Sequence, residues 1–301
     1  MKKTPFYKRF IRPVKHALGY VIIVIGIWKM RLLPRKLAFV GASIWGRMMC
    51  SLLRSDRNRA LANLEIAFPE MLPIERQHIA RETFCQTALN LADACCAKKL
   101  VYSEPPVWKI EGKEHLENFY KKYGGGIVIT GHIGCFELIP GIIGRLGYKV
   151  AVVGRRLYDE RVDRLLIKQR ESLGIVNIPS DAHPRVLANL IRDGYLIGTL
   201  MDTYTESVDG IPARFFGREV RTISGPIAIA RLVGQPVLPM AIYRENKYRF
   251  LLRILPPLEI PKTSDKTADI VDSLNRANGI IEELIRFRPD QWIWYHDRFR
   301  E

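Results

Sequence analysis

From residue 107 onward, short apolar runs alternate with longer segments whose apolar positions recur every three or four residues. Short runs of apolar or β-branched residues bounded by Gly, Pro or polar residues predict buried strands. The longer periodicity predicts amphipathic helices. Strands are therefore expected at 127–130, 149–153, 174–178 and 195–201, with helices at 136–146, ending near 173, and at 184–192. Residues 236–244 and 248–255 read as an antiparallel pair, followed by a long helix from about 266 to 287. This alternation predicts an α/β fold with a mostly parallel central sheet flanked by helices.

Upstream, residues 37–100 carry a helical pattern almost throughout, broken at Pro69 and Pro73. Pro73 suits a first helical position, and Glu75 suits the first turn. Ser103-Glu104-Pro105-Pro106 reads as a connector. Earlier still, two apolar runs, 17–28 and 37–53, are flanked by Lys and Arg. The expected organisation is a basic, apolar membrane-anchoring segment over 1–36, a helical segment over 37–104 packing on the core, and an α/β core over 105–301. Internal repeats and low-complexity tracts are absent from the sequence.

Charge sharpens that division. The 301 residues hold 47 Lys and Arg against 31 Asp and Glu, a net charge of +16. No acidic residue precedes Asp56, so the excess is concentrated at one end. A nucleic-acid arm would be polar and rich in Lys, Arg and Gly. Here the basic residues border apolar runs, which fits an anionic lipid surface instead. The uncharged run 17–28 is shorter than the ~20 residues a spanning helix needs, although flanking lysines can lengthen it by snorkelling. An uncleaved anchor, spanning or lying in the interface, is expected, with the body of the chain on the cytoplasmic side. Five cysteines without metal-ligand spacing point to a reduced compartment.

The chemistry centres on residues 124–138, a glycine-bounded strand followed by Gly131-His132-Ile133-Gly134 and then Glu137. Residues five apart on one helix point about 140° apart, so His132 and Glu137 meet only if the histidine lies in the turn before the helix. A carboxylate-held imidazole is a general base, and neighbouring turn amides are candidate oxyanion donors. The spacing alone is weak, since His296 and Glu301 share it. In open α/β sheets ligands gather beyond the carboxyl ends of strands. Arg155 and Arg156 follow one predicted strand and Asp202 another, which makes a site for an anionic, hydroxyl-bearing substrate. An ordinary exposed basic pair or a turn carboxylate would account for the same residues, and Arg170 reads equally as a solvated helix residue. Cys135 beside His132 offers a nucleophilic alternative.

His132-x4-Glu137 behind a glycine-rich strand resembles the His-x4-acid motif of the lysophospholipid acyltransferase superfamily. Glutamate at the second position is similar to its lipid A biosynthesis acyltransferase branch, the lauroyl and myristoyl transferases. Residues 63–70 (NLEIAFPE), 81–84 (RETF), Phe215-Phe216-Gly217-Arg218 and 289–299 (PDQWIWYHDRF) extend the resemblance almost end to end. It implies a glycerolipid-acyltransferase-like fold and acyl transfer from an acyl-carrier-protein thioester to a hydroxyl of a phosphorylated lipid A precursor. His132 would be the base and Glu137 its partner, with Arg155, Arg156, Arg170, Asp202 and Gly217 binding substrate. No cofactor or metal is implied. Membrane lipids are the surroundings it implies, at the cytoplasmic face of the inner membrane, with no nucleic-acid partner. Thr203 after Asp202 and Leu157 after Arg156 depart from the family pattern and bear on the identity of the acceptor.

Overall fold

A computed structural model describes residues 12–203 and 210–299. Among these, the central sheet has seven strands in the order β1-β9-β8-β2-β5-β3-β4. The strands are β1 (Trp108–Glu111), β2 (Gly126–Thr130), β3 (Lys149–Gly154), β4 (Val176–Pro179), β5 (Tyr195–Leu200), β8 (Val237–Arg244) and β9 (Phe250–Ile254). Every neighbouring pair is parallel except β8 and β9. The mostly parallel sheet and the antiparallel pair both match the sequence pattern.

Both faces of the sheet are covered, which is why β2 is buried along its whole length. Val128 faces α6 (Lys113–Tyr123) and α7 (Ile139–Arg145), sharing a buried cluster with Phe119 and Ile142. Ile127 and Ile129 face the other way, toward α9 (Pro184–Arg192), α10 (Gly225–Val233) and α11 (Lys266–Phe287). Full burial of one such side chain contributes roughly 1.5–3 kcal/mol.

A third cluster lies beyond the sheet. The hairpin β6 (Gly210–Phe215) and β7 (Arg218–Ile223) turns through Phe216 and Gly217, both at positive φ (47° and 74°). Two successive residues with positive φ twist a two-residue hairpin in the sense its strands need. Phe215 and Phe216 pack with Phe68, Trp292 and Trp294. Asn63, on α3 (Arg54–Ala67), donates to the carbonyls of Trp294 (2.7 Å) and His296 (2.8 Å). Segments some 230 residues apart are thereby fastened together.

Ahead of β1 the chain forms α2 (Arg35–Leu52), α3, α4 (Pro73–Cys95) and α5 (Ala97–Val101). Asp93 on α4 accepts a two-pronged contact from Arg35 (2.9 and 3.0 Å) and one from Arg244 on β8 (2.6 Å). Asp93 and Arg244 are buried and Arg35 is half-buried, and together they tie α2 and α4 to the sheet. α1 (Arg12–Leu32) precedes α2. The expected anchor over 1–36 lies in part outside the described residues; among those described, no helix is long and apolar enough to cross a membrane, so its spanning form is not supported. The physical reason is the dense charge at its end, with Lys29 and Arg31 in the last turn.

Candidate active site

The site is assembled by sheet register. β2 and β5 are parallel neighbours with Thr130 opposite Leu200. Just past the strand ends the Met201 amide donates to the Thr130 carbonyl (3.0 Å). His132 lies two residues beyond Thr130 and Asp202 two beyond Leu200, so the register sets them side by side. Nδ1 of His132 is 2.9 Å from Oδ1 of Asp202, and its backbone amide donates to Oδ2 at 2.7 Å. Trp292 donates its indole N–H to Oδ2 at 2.6 Å.

Asp202 is buried, and burial alone would raise its pKa. The His132 charge and hydrogen bonds, with the Trp292 N–H, lower it to about 2. A carboxylate that stays ionised accepts from Nδ1, which places the proton of the neutral ring there and leaves Nε2 as the basic nitrogen. For His132, burial works against the cation, but Asp202, with Glu137 as a smaller contributor, outweighs it and the pKa is raised above 6.5.

The expected contact between His132 and Glu137 is replaced by this one. Glu137 sits on a short 3-10 turn, Phe136–Leu138, where Phe136 rather than Glu137 meets the imidazole edge-on (4.9 Å). The carboxylate is taken by Arg170 of α8 (Glu160–Glu171), with Nε at 3.0 Å and Nη2 at 2.5 Å. A guanidinium fork matches a carboxylate better than one imidazole N–H does. Asp202 and Arg170, expected to bind substrate, are therefore engaged within the protein, the first by the base and the second by Glu137.

Arg155 and Arg156 are exposed just after β3, which is separated from β2 by β5. They share the carboxyl edge of the sheet. Gly217 occupies the hairpin turn, where its positive φ accounts for a glycine without a ligand. The amides of His132, Ile133 and Gly134 donate to Asp202, Gly131 and Gln291. Those of Cys135, Phe136 and Glu137 donate to no acceptor among the described residues. Cys135 is no nucleophile: it is buried, burial pushes its thiol far above the usual range, and its Sγ faces the Asn90 carbonyl (3.5 Å).

His132, Phe136 and Glu137 line a small cleft of about 90 Å³, walled by Thr87, Asn90 and Leu91 of α4. Among the described residues no group of three or more His, Cys, Asp or Glu is placed to hold a metal ion. Sequence reasoning left the 289–299 segment without roles, yet it supports both Asp202 and the turn that carries His132. Trp292 holds Asp202, Ile133 and Trp292 form a β-bridge, and Gly134 bonds to Gln291. Arg298 is fully buried, donates to the Arg221 carbonyl (2.6 Å) and Thr222 Oγ1 (2.9 Å), and lies within electrostatic reach of Asp202. Burial lowers its pKa to about 10. The signal was the unusual Gln-Trp-x-Trp-x-His run, which carries no local hint of what it touches.

The family model for bacterial lipid A biosynthesis acyltransferases matches residues 5–301. The lipid A biosynthesis palmitoleoyltransferase of Escherichia coli K12 is 24% identical over 298 residues, covering 98% of this chain and 94% of that protein. The lauroyltransferase of the same organism is 20% identical, covering 91% and 89%. Among solved structures, the 1-acyl-sn-glycerophosphate acyltransferase PlsC of Thermotoga maritima aligns over 85% of this chain and all of its own at 16% identity, with a TM-score of 0.38.

Proposed function

Because the chain belongs to the bacterial lipid A biosynthesis acyltransferase family, we propose that it moves a fatty acyl chain from an acyl-carrier-protein thioester to a hydroxyl of a phosphorylated lipid A precursor. The observation that carries this reading is the His132–Asp202 pair, which leaves Nε2 as the ring nitrogen with no partner among the described residues, beside a cleft. In the reaction, Nε2 takes the hydroxyl proton while the oxygen attacks the thioester carbonyl carbon. The tetrahedral intermediate then expels the carrier thiolate, which recovers the proton from the imidazolium. Asp202 keeps the ring oriented and stabilises its cation. The uncommitted amides of residues 135–137 are the oxyanion donors this scheme uses. Glu137, held by Arg170, shapes the wall of the cleft and adds negative charge that favours protonation of the base.

The membrane part of the reading rests on surface character. Val21, Ile25 and Trp28 of α1 and Val40, Ile44 and Trp45 of α2 are exposed apolar side chains, with Lys29, Lys36 and Arg47 among them. Such helices suit the lipid interface without crossing it. The same basic end suits acidic lipids at the cytoplasmic face of the inner membrane, and an acidic carrier protein approaching there.

The test is purified full chain supplied with acyl-carrier protein and a lipid A precursor, with product read by mass spectrometry. An acylated precursor from the native chain and none from a folded His132→Ala variant is the expected result. Undiminished product from that variant would end the mechanism.

A further inference from the structure

A groove lies away from His132, where α3 meets the first half of α4. Its volume is about 970 Å³, and Leu61, Met71, Ile79 and Ala80 form an apolar lining. Arg57 and Arg81 line it as well. Neighbouring arginines are paired: Arg59 with Asp56 and Arg76 with Glu65. Arg57 and Arg81 form no ion pair among the described residues. Each lowers the Cys50 thiol's pKa, against the burial that raises it, and all three residues line the same groove. Glu75, which also lines the groove, accepts the Leu72 amide (2.8 Å). Exposed Leu53, Leu72 and Ile74 continue the apolar surface outward.

Two cations lining one groove beside apolar side chains match an anionic head on a hydrocarbon body. We infer that this groove is a second lipid site, taking an acidic phospholipid whose phosphate lies between Arg57 and Arg81 and whose chains lie on Leu61, Met71 and Ile79. Arg81 and the cleft residue Asn90 are on the same helix, about 14 Å apart along its axis at 1.5 Å per residue. A lipid held there anchors α4 to the membrane surface at a set distance from the base. This inference builds on the proposed membrane-surface reading.

The experiment follows amide hydrogen exchange in the purified full chain with three probes below their micellar range: dihexanoyl phosphatidylglycerol, dihexanoyl phosphatidylcholine and inorganic phosphate. Phosphatidylglycerol should slow exchange in peptides covering 54–61 and 71–81, with phosphatidylcholine at least about tenfold weaker and phosphate without effect. Arg57→Gln/Arg81→Gln should weaken binding about thirtyfold, the loss expected for two cation contacts. Arg57→Lys/Arg81→Lys should keep most of it, which separates charge loss from misfolding. Equal protection by phosphatidylcholine would reduce the groove to apolar adhesion, and protection by phosphate alone would make it a free-phosphate site. Protection confined to 132–138 would assign the lipid to the cleft. Any of these overturns the inference. Monomeric lipids keep the two readings apart: no binding to acidic vesicles, with groove protection intact, would sink only the membrane-surface reading.

Discussion

Trp292 donates its indole N–H to Oδ2 of Asp202 at 2.6 Å, and the same oxygen receives the backbone amide of His132 at 2.7 Å. The carboxylate that orients His132 is thus itself oriented, by a tryptophan 90 residues further along the chain. Both side chains are almost fully buried.

Trp292→Phe keeps the ring but removes this donor. A hydrogen bond to a charged group contributes about 1.5–3 kcal/mol, so kcat should fall by roughly tenfold or more. KM should stay near its native value, because Trp292 does not line the cleft. Steady-state kinetics beside a thermal melt checks it. A lowered melting point with unchanged kcat would make Trp292 structural only.

The pH profile follows from the direction of the His132 shift. A general base works when neutral, so activity should rise with pH through a value above 6.5. Asp202→Asn removes the main influence that raises that pKa, so the acid limb should move to lower pH while kcat drops. The stability linkage has the opposite sense. A pKa raised by folding contributes stability in full below about 6.5, and that contribution disappears as pH climbs through the folded value. Melting curves of the native chain and Asp202→Asn across pH 5–9 test this.

Glu137 and Arg170 should behave as a coupled pair. Their side chains are about 15% exposed, so solvent screening is modest, and a double-mutant cycle with Glu137→Gln and Arg170→Gln should give a coupling on the order of 1 kcal/mol in stability. Glu137→Gln should also lower the His132 pKa slightly, in the same direction as Asp202→Asn. Additive effects would show that the pair is not energetically joined.

Asp93→Ala should be among the most damaging substitutions outside the site. It strands buried Arg244 and frees Arg35, and loss of one partner from a buried ion pair costs about 3–5 kcal/mol. Chemical denaturation measures the loss. Asp93→Asn, which can still accept from Arg244, should lose less.

Gly134→Ala should inactivate the chain. Gly134 has φ +56°, and an added Cβ would collide with the Ile242 carbonyl oxygen of β8. The turn carrying His132 can only move away, taking the base off its register with Asp202. Native kcat in Gly134→Ala would show that the turn tolerates such a shift.

Much of this molecule is local and therefore legible. Repeating apolar spacing alone located β2, β3, β5, α9, the β8–β9 pair and α11, because burial on one or both faces imposes its period directly on the residues. Glycines around His132 announced a turn for the same reason. The short edge strand β1, the β6–β7 hairpin and α10 were missed, since a four-residue strand and a Phe-Gly turn carry little pattern. What the chain could not reveal is which carboxylate reaches the base. Glu137 is near in sequence, but Asp202 is delivered by the parallel register of β2 and β5, and Trp292 and Asn63 by packing across the whole length. Strand neighbours are chosen by long-range burial and hydrogen bonding, and no spacing within 124–138 encodes them. Residue types and local turns were written in the chain; the partnership at the base was decided only when two distant strand ends met.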